Sequence, residues 1–261
     1  MKYSALTDQG KRKTTNDDMV YASEPVPGRD QGVFMVCRGA GPKGAASLAS
    51  TIACHNIGPR LIDWLRGEGG SASYQPGECA IRTSVQDANS AIRTQLIEKT
   101  EYIGMGASFA LVVILGTREE DKELVAQTLV SNVGDCRVYA MGKKITRITE
   151  DHSLSACHPS DSLHLEGVDP MRRIGPMRFL GVDGSIDASI HRVALRRYIK
   201  LLLCSPGVML HLSDEELLAI AGKEKDPEAA CGKVVTACME RGGADNISAI
   251  VVQREDYAPP Q

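Results

Sequence analysis

The sequence predicts one α/β domain in which antiparallel sheets lie between layers of helix, and three observations carry that reading. Groups of strand-like stretches alternate with pairs of helical ones, there is no internal repeat, and 43% of the 261 residues are hydrophobic. A chain of that makeup buries enough apolar surface to offset the entropy of ordering itself.

The elements follow from periodicity. Met19 to Ala22 and Val33 to Val36 alternate as strands around the turn-rich Pro25-Val26-Pro27-Gly28, so the chain opens like a hairpin. From about Gly44 to Leu65, and more cleanly from about Glu78 to Lys99, apolar residues recur at helical spacing; Ile81, Val85, Ala88, Ile92 and Leu96 form the second stripe. Trp64 falls on the apolar face of the first helix, as core, and the Gly- and Ser-rich stretch 67–77 is the loop between the two. Phe109 to Leu115, Leu124 to Asn132, Arg137 to Met141 and Lys144 to Arg147 read as an antiparallel meander. After an irregular stretch from about Ser155 to Asp187, Tyr198 to Cys204 is a buried strand and Ser213 with Glu216 a capping box. Pro227 to Arg241 is a second helix of this half, and Ile247 to Val252 closes the fold. Residues 1–254 are expected to form a single domain and 255–261 a tail.

Composition excludes whole classes of function. A net charge of −3, with no long basic block, offers no field for nucleic acid. No apolar run approaches the roughly 20 residues that span a bilayer, so no membrane partner is expected. The start lacks a basic segment followed by an apolar run, which makes the cytoplasm the expected location. The eight cysteines form no C-x-x-C pair and sit mostly in apolar runs, as small buried hydrophobes of a reducing compartment. Oligomeric state leaves no mark on the sequence.

Two motif readings compete. Gly39-Ala40-Gly41-Pro42-Lys43-Gly44 is a literal G-x-G-x-x-G between a strand and a helix, the pattern of a dinucleotide site. That site needs a parallel strand directly after the helix, whereas another helix follows here. Asp63, near the distance for a ribose-binding acid, falls on the helix and reads as a solvated residue.

The second reading takes in nearly the whole chain. Thr7-Asp8-Gln9-Gly10 with Asn16-Asp17-Asp18, Val33 to Gly41, Gly104 to Ser108, Asn132 to Arg137, Thr149 to Ser153, Leu203 to Gly207, and Gly243 to Ser248 come in that order. They resemble, in order, the motifs of the metal-dependent protein phosphatases, the PPM or type 2C serine/threonine family, in its compact bacterial form. The resemblance implies an α-β-β-α sandwich, two antiparallel sheets flanked by helix pairs. It also implies a reaction in which two Mg²⁺ or Mn²⁺ ions, held by carboxylates, deliver a water to the phosphorus of a phosphoserine or phosphothreonine.

The sequence departs from that pattern where the chemistry needs it most. Arg38 stands where the resemblance implies an Asp bridging both metals, before Gly39, whose carbonyl would help; a guanidinium has five donors and no acceptor. Pro206 replaces a second expected Asp, and Lys13 stands for a phosphate-binding Arg, keeping the charge without the two-pronged grip. Ala40 and Pro42 also depart from the family's loop. Asp17, Asp18, Asp135 and Asp245 with Asn246 remain at family positions as residual metal ligands, Asp135 at the periphery.

Carboxylates converging without metal repel one another, and Arg38 is expected to offset this by pairing with Asp17, Asp18 or Asp245; the alternative leaves it in solvent. His152 is expected to hold a loop by hydrogen bonds. Arg172, Arg173 and Arg178 fall where the family carries a variable flap.

The chain therefore reads as a pseudophosphatase, without a cofactor, serving as a binding or regulatory module in phospho-signalling. Its expected partner is a phosphoprotein or a protein kinase signalling component, with Lys13 and Arg38 as the phosphate-binding pair. The alternative is an active phosphoserine/phosphothreonine phosphatase with two Mn or Mg ions in a remodelled site.

Overall fold

Phe34 and Val36 point to one side of their strand while Val33, Met35 and Cys37 point to the other, and all five are fully buried. A strand apolar on both faces needs a layer on each side, and the rest of the architecture supplies both. In the computed structural model, which describes residues 1–26, 29–42, 44–67, 73–120, 123–153, 178–182 and 184–259, this strand is β3 (Gly32–Ala40). It lies in a sheet ordered β2-β3-β4-β5-β8, with β2 Asp18–Ala22, β4 Gly106–Glu120, β5 Glu123–Val133 and β8 Ser189–Leu195. The second sheet runs β1-β10-β9-β6-β7, with β1 Lys2–Asp8, β6 Arg137–Met141, β7 Ile145–Arg147, β9 Lys200–Cys204 and β10 Ile247–Gln253. All pairings between these strands are antiparallel.

Three cores stack through the molecule. Between the sheets lie Phe34, Val112, Val130, Leu203 and Ile250 with their neighbours. Outside the first sheet, α1 (Ala45–Arg66) and α2 (Tyr74–Glu98) bury Ile57, Leu61, Ile81 and Ile92 against Met35 and Leu111. Outside the second, α5 (Pro227–Glu240) and the shorter α3 (Pro206–Met209) and α4 (Asp214–Leu217) cover Leu202 and Val251. This is the helix-sheet-sheet-helix sandwich that the resemblance implies. Ser213 caps α4 with the reciprocal bonds to Glu216, as its sequence predicts. No helix among the described residues is long and apolar enough to cross a membrane.

Two departures from the sequence reading have physical causes. The stretch 109–147 is not one meander: β4 and β5 pair in one sheet, and the chain then crosses to the other for β6 and β7. Two strands go unpredicted. β1 is half-exposed along its length, and β8, an edge strand, mixes Ser, His and Arg with its apolar residues. The dinucleotide reading fails in the structure for the reason the sequence gives: α1 leads to α2, and the sheet beside them is antiparallel throughout. Lys43, Cys157, Arg172 and Arg173 lie outside the described residues. Trp64 is half-buried and packs against the helical core, while Asp63 is exposed with Arg66 as its ion-pair partner.

Candidate functional site

Strand parity carries charge to one rim of the sandwich. β3 alternates Phe34 and Val36 into the space between the sheets, so Arg38, two residues on, enters the same space at its edge. Asp18 lies directly opposite Arg38 on β2, and Ser108 opposite it on β4. Ser248 faces the same space from the other sheet, two residues before the inward Ile250 on β10.

The guanidinium of Arg38, its side chain 31% exposed, sets Nη1 at 3.0 Å from Asp135 Oδ2 and Nη2 at 3.5 Å from Asp245 Oδ2. Lys13 Nζ lies 2.9 Å from Asp245 Oδ1, so two cations and two carboxylates form a continuous chain. Burial works against the Arg38 charge, but Asp135 and Asp245 more than offset it and hold the proton more firmly than usual. Burial raises the Asp135 carboxyl, with Arg38 opposing, and Asp135 Oδ1 is buried without a hydrogen-bond donor among the described residues. Asp18 is pushed up to about 6 by burial, while the hydroxyl of Ser248, donating to its Oδ2 at 2.8 Å, opposes the rise.

Asp135 is thus a direct partner of Arg38 rather than peripheral. The solvent-facing alternative for Arg38 does not hold. Asp17 turns its carboxylate to the Thr15 hydroxyl at 3.4 Å; it reaches the group through its backbone, accepting from Gly39 N–H at 2.9 Å. Gly39 has a structural reason of its own: a Cβ there would lie 1.8 Å from the Ala46 carbonyl oxygen, so β3 and the start of α1 could not approach. Pro206 opens α3, and the next residue, Gly207, leaves no room for a side chain against the Asn246 carbonyl.

Asn246 is a residue whose importance the sequence understates. Its amide donates to Gln9 O at 2.8 Å and Thr15 O at 2.9 Å, and its Oδ1 accepts from Asp17 N–H at 2.9 Å. One buried side chain therefore fixes the loop that carries Lys13 beside the loop that carries Asp245. The hydroxyls Ser108 and Ser248, which face the space between the sheets, are legible only through strand parity. His152 holds its loop as expected. Its Nδ1 accepts from Gly134 N–H at 3.2 Å, which leaves Nε2 to donate to Ser189 Oγ at 2.9 Å, and burial lowers its pKa. Arg178 donates to Asp187 O at 3.2 Å.

No protein-family model matches the chain. It is 24% identical over 252 residues to the serine/threonine phosphatase stp of Listeria monocytogenes, an alignment covering 95% of this chain and 94% of that protein. It is 22% identical to the serine/threonine protein phosphatase PstP of Mycobacterium tuberculosis, across 98% of this chain and 46% of that longer protein. Among solved structures, the S. agalactiae serine/threonine phosphatase superposes with a TM-score of 0.80 at 22% identity, covering 97% of this chain and 99% of that one. The PPM Ser-Thr phosphatase MsPP of Mycobacterium smegmatis does so at 0.75 and 21%, covering 97% and 98%. The chain has the PPM phosphatase fold.

PPM phosphatases work with paired Mn²⁺ or Mg²⁺, hard ions that need a ring of oxygen donors. The residues present do not fit that pair. The guanidinium lies between Asp135 and Asp245, both oxygens of Asp245 face cationic side chains, and Pro206 offers no side-chain oxygen. A divalent ion at this place would meet Arg38 as a like charge within the same cluster.

Proposed function

We propose that this PPM-fold protein is a pseudophosphatase: it binds a phosphorylated protein partner at the Arg38 rim and does not hydrolyse it. The observation that carries this reading is the ion-pair chain Lys13–Asp245–Arg38–Asp135, with separations of 2.9, 3.5 and 3.0 Å. A carboxylate cluster neutralised by a built-in cation needs no metal for its stability. Arg38 and Lys13, both partly open to solvent, carry donors that can turn to phosphate oxygens as charge-assisted bonds. Fold alone confers no activity, so the chemistry at this rim decides.

The test joins binding to turnover. Calorimetry with a phosphoserine peptide should show binding to the wild type that is lost in Lys13→Ala/Arg38→Ala, with no phosphate released in Mn²⁺ or Mg²⁺. Arg38→Asp/Pro206→Asp should gain metal binding, and neither change alone should suffice, since each leaves the ligand ring incomplete. Metal-dependent turnover by the unmodified protein would establish the active, remodelled phosphatase instead.

A further inference from the structure

At the opposite end of β6 from Asp135, the hairpin between β6 and β7 lifts Lys143 and Lys144 above two hollows, one on each face of the sheet. The five residues of β6 set this place about 16 Å from the Arg38 rim. The larger hollow, about 640 Å³, is floored by Ile145, Leu218, Ala219 and Pro259 and edged by Lys144, Lys223 and one carboxylate, Glu215. The other, about 610 Å³, lies against Ile199 and Tyr198, an aromatic side chain left 39% exposed. Neither is closed: together they make an apolar trough whose rim carries three lysines against one carboxylate, Glu215.

Two further observations point to an occupant. The wall at Leu218–Gly222 is a π-helical turn, a geometry that releases backbone carbonyls and recurs at functional sites. Those carbonyls are held from beneath: the buried Lys200 donates to Ala221 O at 3.0 Å and Tyr257 Oη to Gly222 O at 3.1 Å, so the wall is fixed in its irregular shape. Second, Lys143, Lys144 and Lys223, all exposed and without an ion-pair partner among the described residues, gather on the rim of one trough. β7 is the last strand of its sheet, pairing among the described residues only with β6.

We infer that this trough is a second binding site, for an extended acidic segment of another protein. Its main chain pairs with the edge of β7, one apolar side chain enters the larger hollow, and flanking carboxylates meet Lys143, Lys144 and Lys223. Edge pairing supplies affinity, the hollow selects the anchor, and the lysines exclude basic segments. The site is independent of the phosphate rim.

The test is to pan a phage-displayed library of short linear peptides on the full chain and synthesise the enriched sequences with a fluorescent label. Carboxylates flanking one aliphatic or aromatic residue should dominate. Binding should weaken about tenfold in Lys143→Glu/Lys144→Glu, fall with added salt, and weaken again in Ala219→Trp, which fills the larger hollow. Excess phosphoserine peptide should not compete. Because Ala219 is exposed, circular dichroism checks that the Trp variant folds, and Lys143→Gln/Lys144→Gln gives the charge effect without reversal. The inference is overturned if no acidic sequence is enriched, if the enriched peptides bind Lys143→Glu/Lys144→Glu as well as the wild type, or if phosphoserine peptide displaces them.

Discussion

Arg38 is gripped by two carboxylates that arrive from different sheets, Asp135 just after β5 and Asp245 just before β10. With its side chain 31% exposed, the pair belongs between a solvated ion pair, worth at most about 1 kcal/mol, and a buried one whose disruption costs about 3–5 kcal/mol. Arg38→Ala should therefore lose about 1–3 kcal/mol in urea unfolding, and adding Asp135→Asn should restore part of it, since the orphaned carboxylate goes with it. Unchanged stability in the single variant would mean the carboxylates find solvent without help. Gly39 allows a sharper test of packing. Gly39→Ala forces a methyl group against the Ala46 backbone, which cannot turn aside as a side chain can, and should cost about 1–3 kcal/mol by thermal melting. At this scale the sequence displayed most of the site. Lys13, Arg38, Asp18, Asp135 and Asp245 stand out by type and position, but which carboxylate takes the guanidinium depends on how two sheets face each other. No local pattern encodes that.

Elements with a strong one-sided stripe were legible, and those without were not. α2 shows its core face at every turn, and the Ser213 capping box marks the start of α4 by chemistry alone. β1 and β8 lie at sheet edges, where one face and one side are wet and selection for alternation is weak. β9 was legible as buried, yet its first residue is Lys200, an unexpected group for a fully buried position. Its ammonium caps the carbonyl of Ala221 in the π turn and that of Glu224 just beyond it, and lies 4.6 Å from the centre of the Tyr257 ring, docking the residues that follow β10. Burial lowers its pKa to about 8, with Glu224 opposing. Between about pH 8 and 10.5 the unfolded chain holds this proton and the folded chain has released it, so stability gained at Lys200 rises over that window and is flat below it. Urea midpoints measured across this range should climb more steeply with pH in the wild type than in Lys200→Met. Parallel curves for the two proteins would show that the ammonium stays charged in place.

Across the whole molecule, the two sheets meet through Phe34, Val112, Val130, Leu203 and Ile250, a seam joining residues from distant parts of the chain. Periodicity predicts the strands of the interior and misses β1 and β8; it is silent on which sheet a strand joins, and the motif order had to supply the sandwich. Phe34, fully buried and with its ring centroid 5.1 Å from that of Tyr3, spans the seam. Phe34→Ala should cost about 3–5 kcal/mol and still unfold in one step, since both sheets lose the same support; separate transitions by near- and far-ultraviolet dichroism would show that the halves stand alone. At the Arg38 rim the seam changes character, from hydrocarbon to the Arg38–Asp245 ion pair and the Ser248–Asp18 hydrogen bond. Dissolved salt therefore pulls the two parts of the seam in opposite directions. At about 1 M, ions within roughly 3 Å screen the charges at the rim, while the hydrocarbon interior is indifferent to them or held tighter by an excluded anion such as sulfate. Brine would act on this molecule as a thumb on one lip of a clasp: backbone amides near Asp17 should exchange their hydrogens faster in concentrated sodium chloride, and those of Val112 and Val130 should keep their pace.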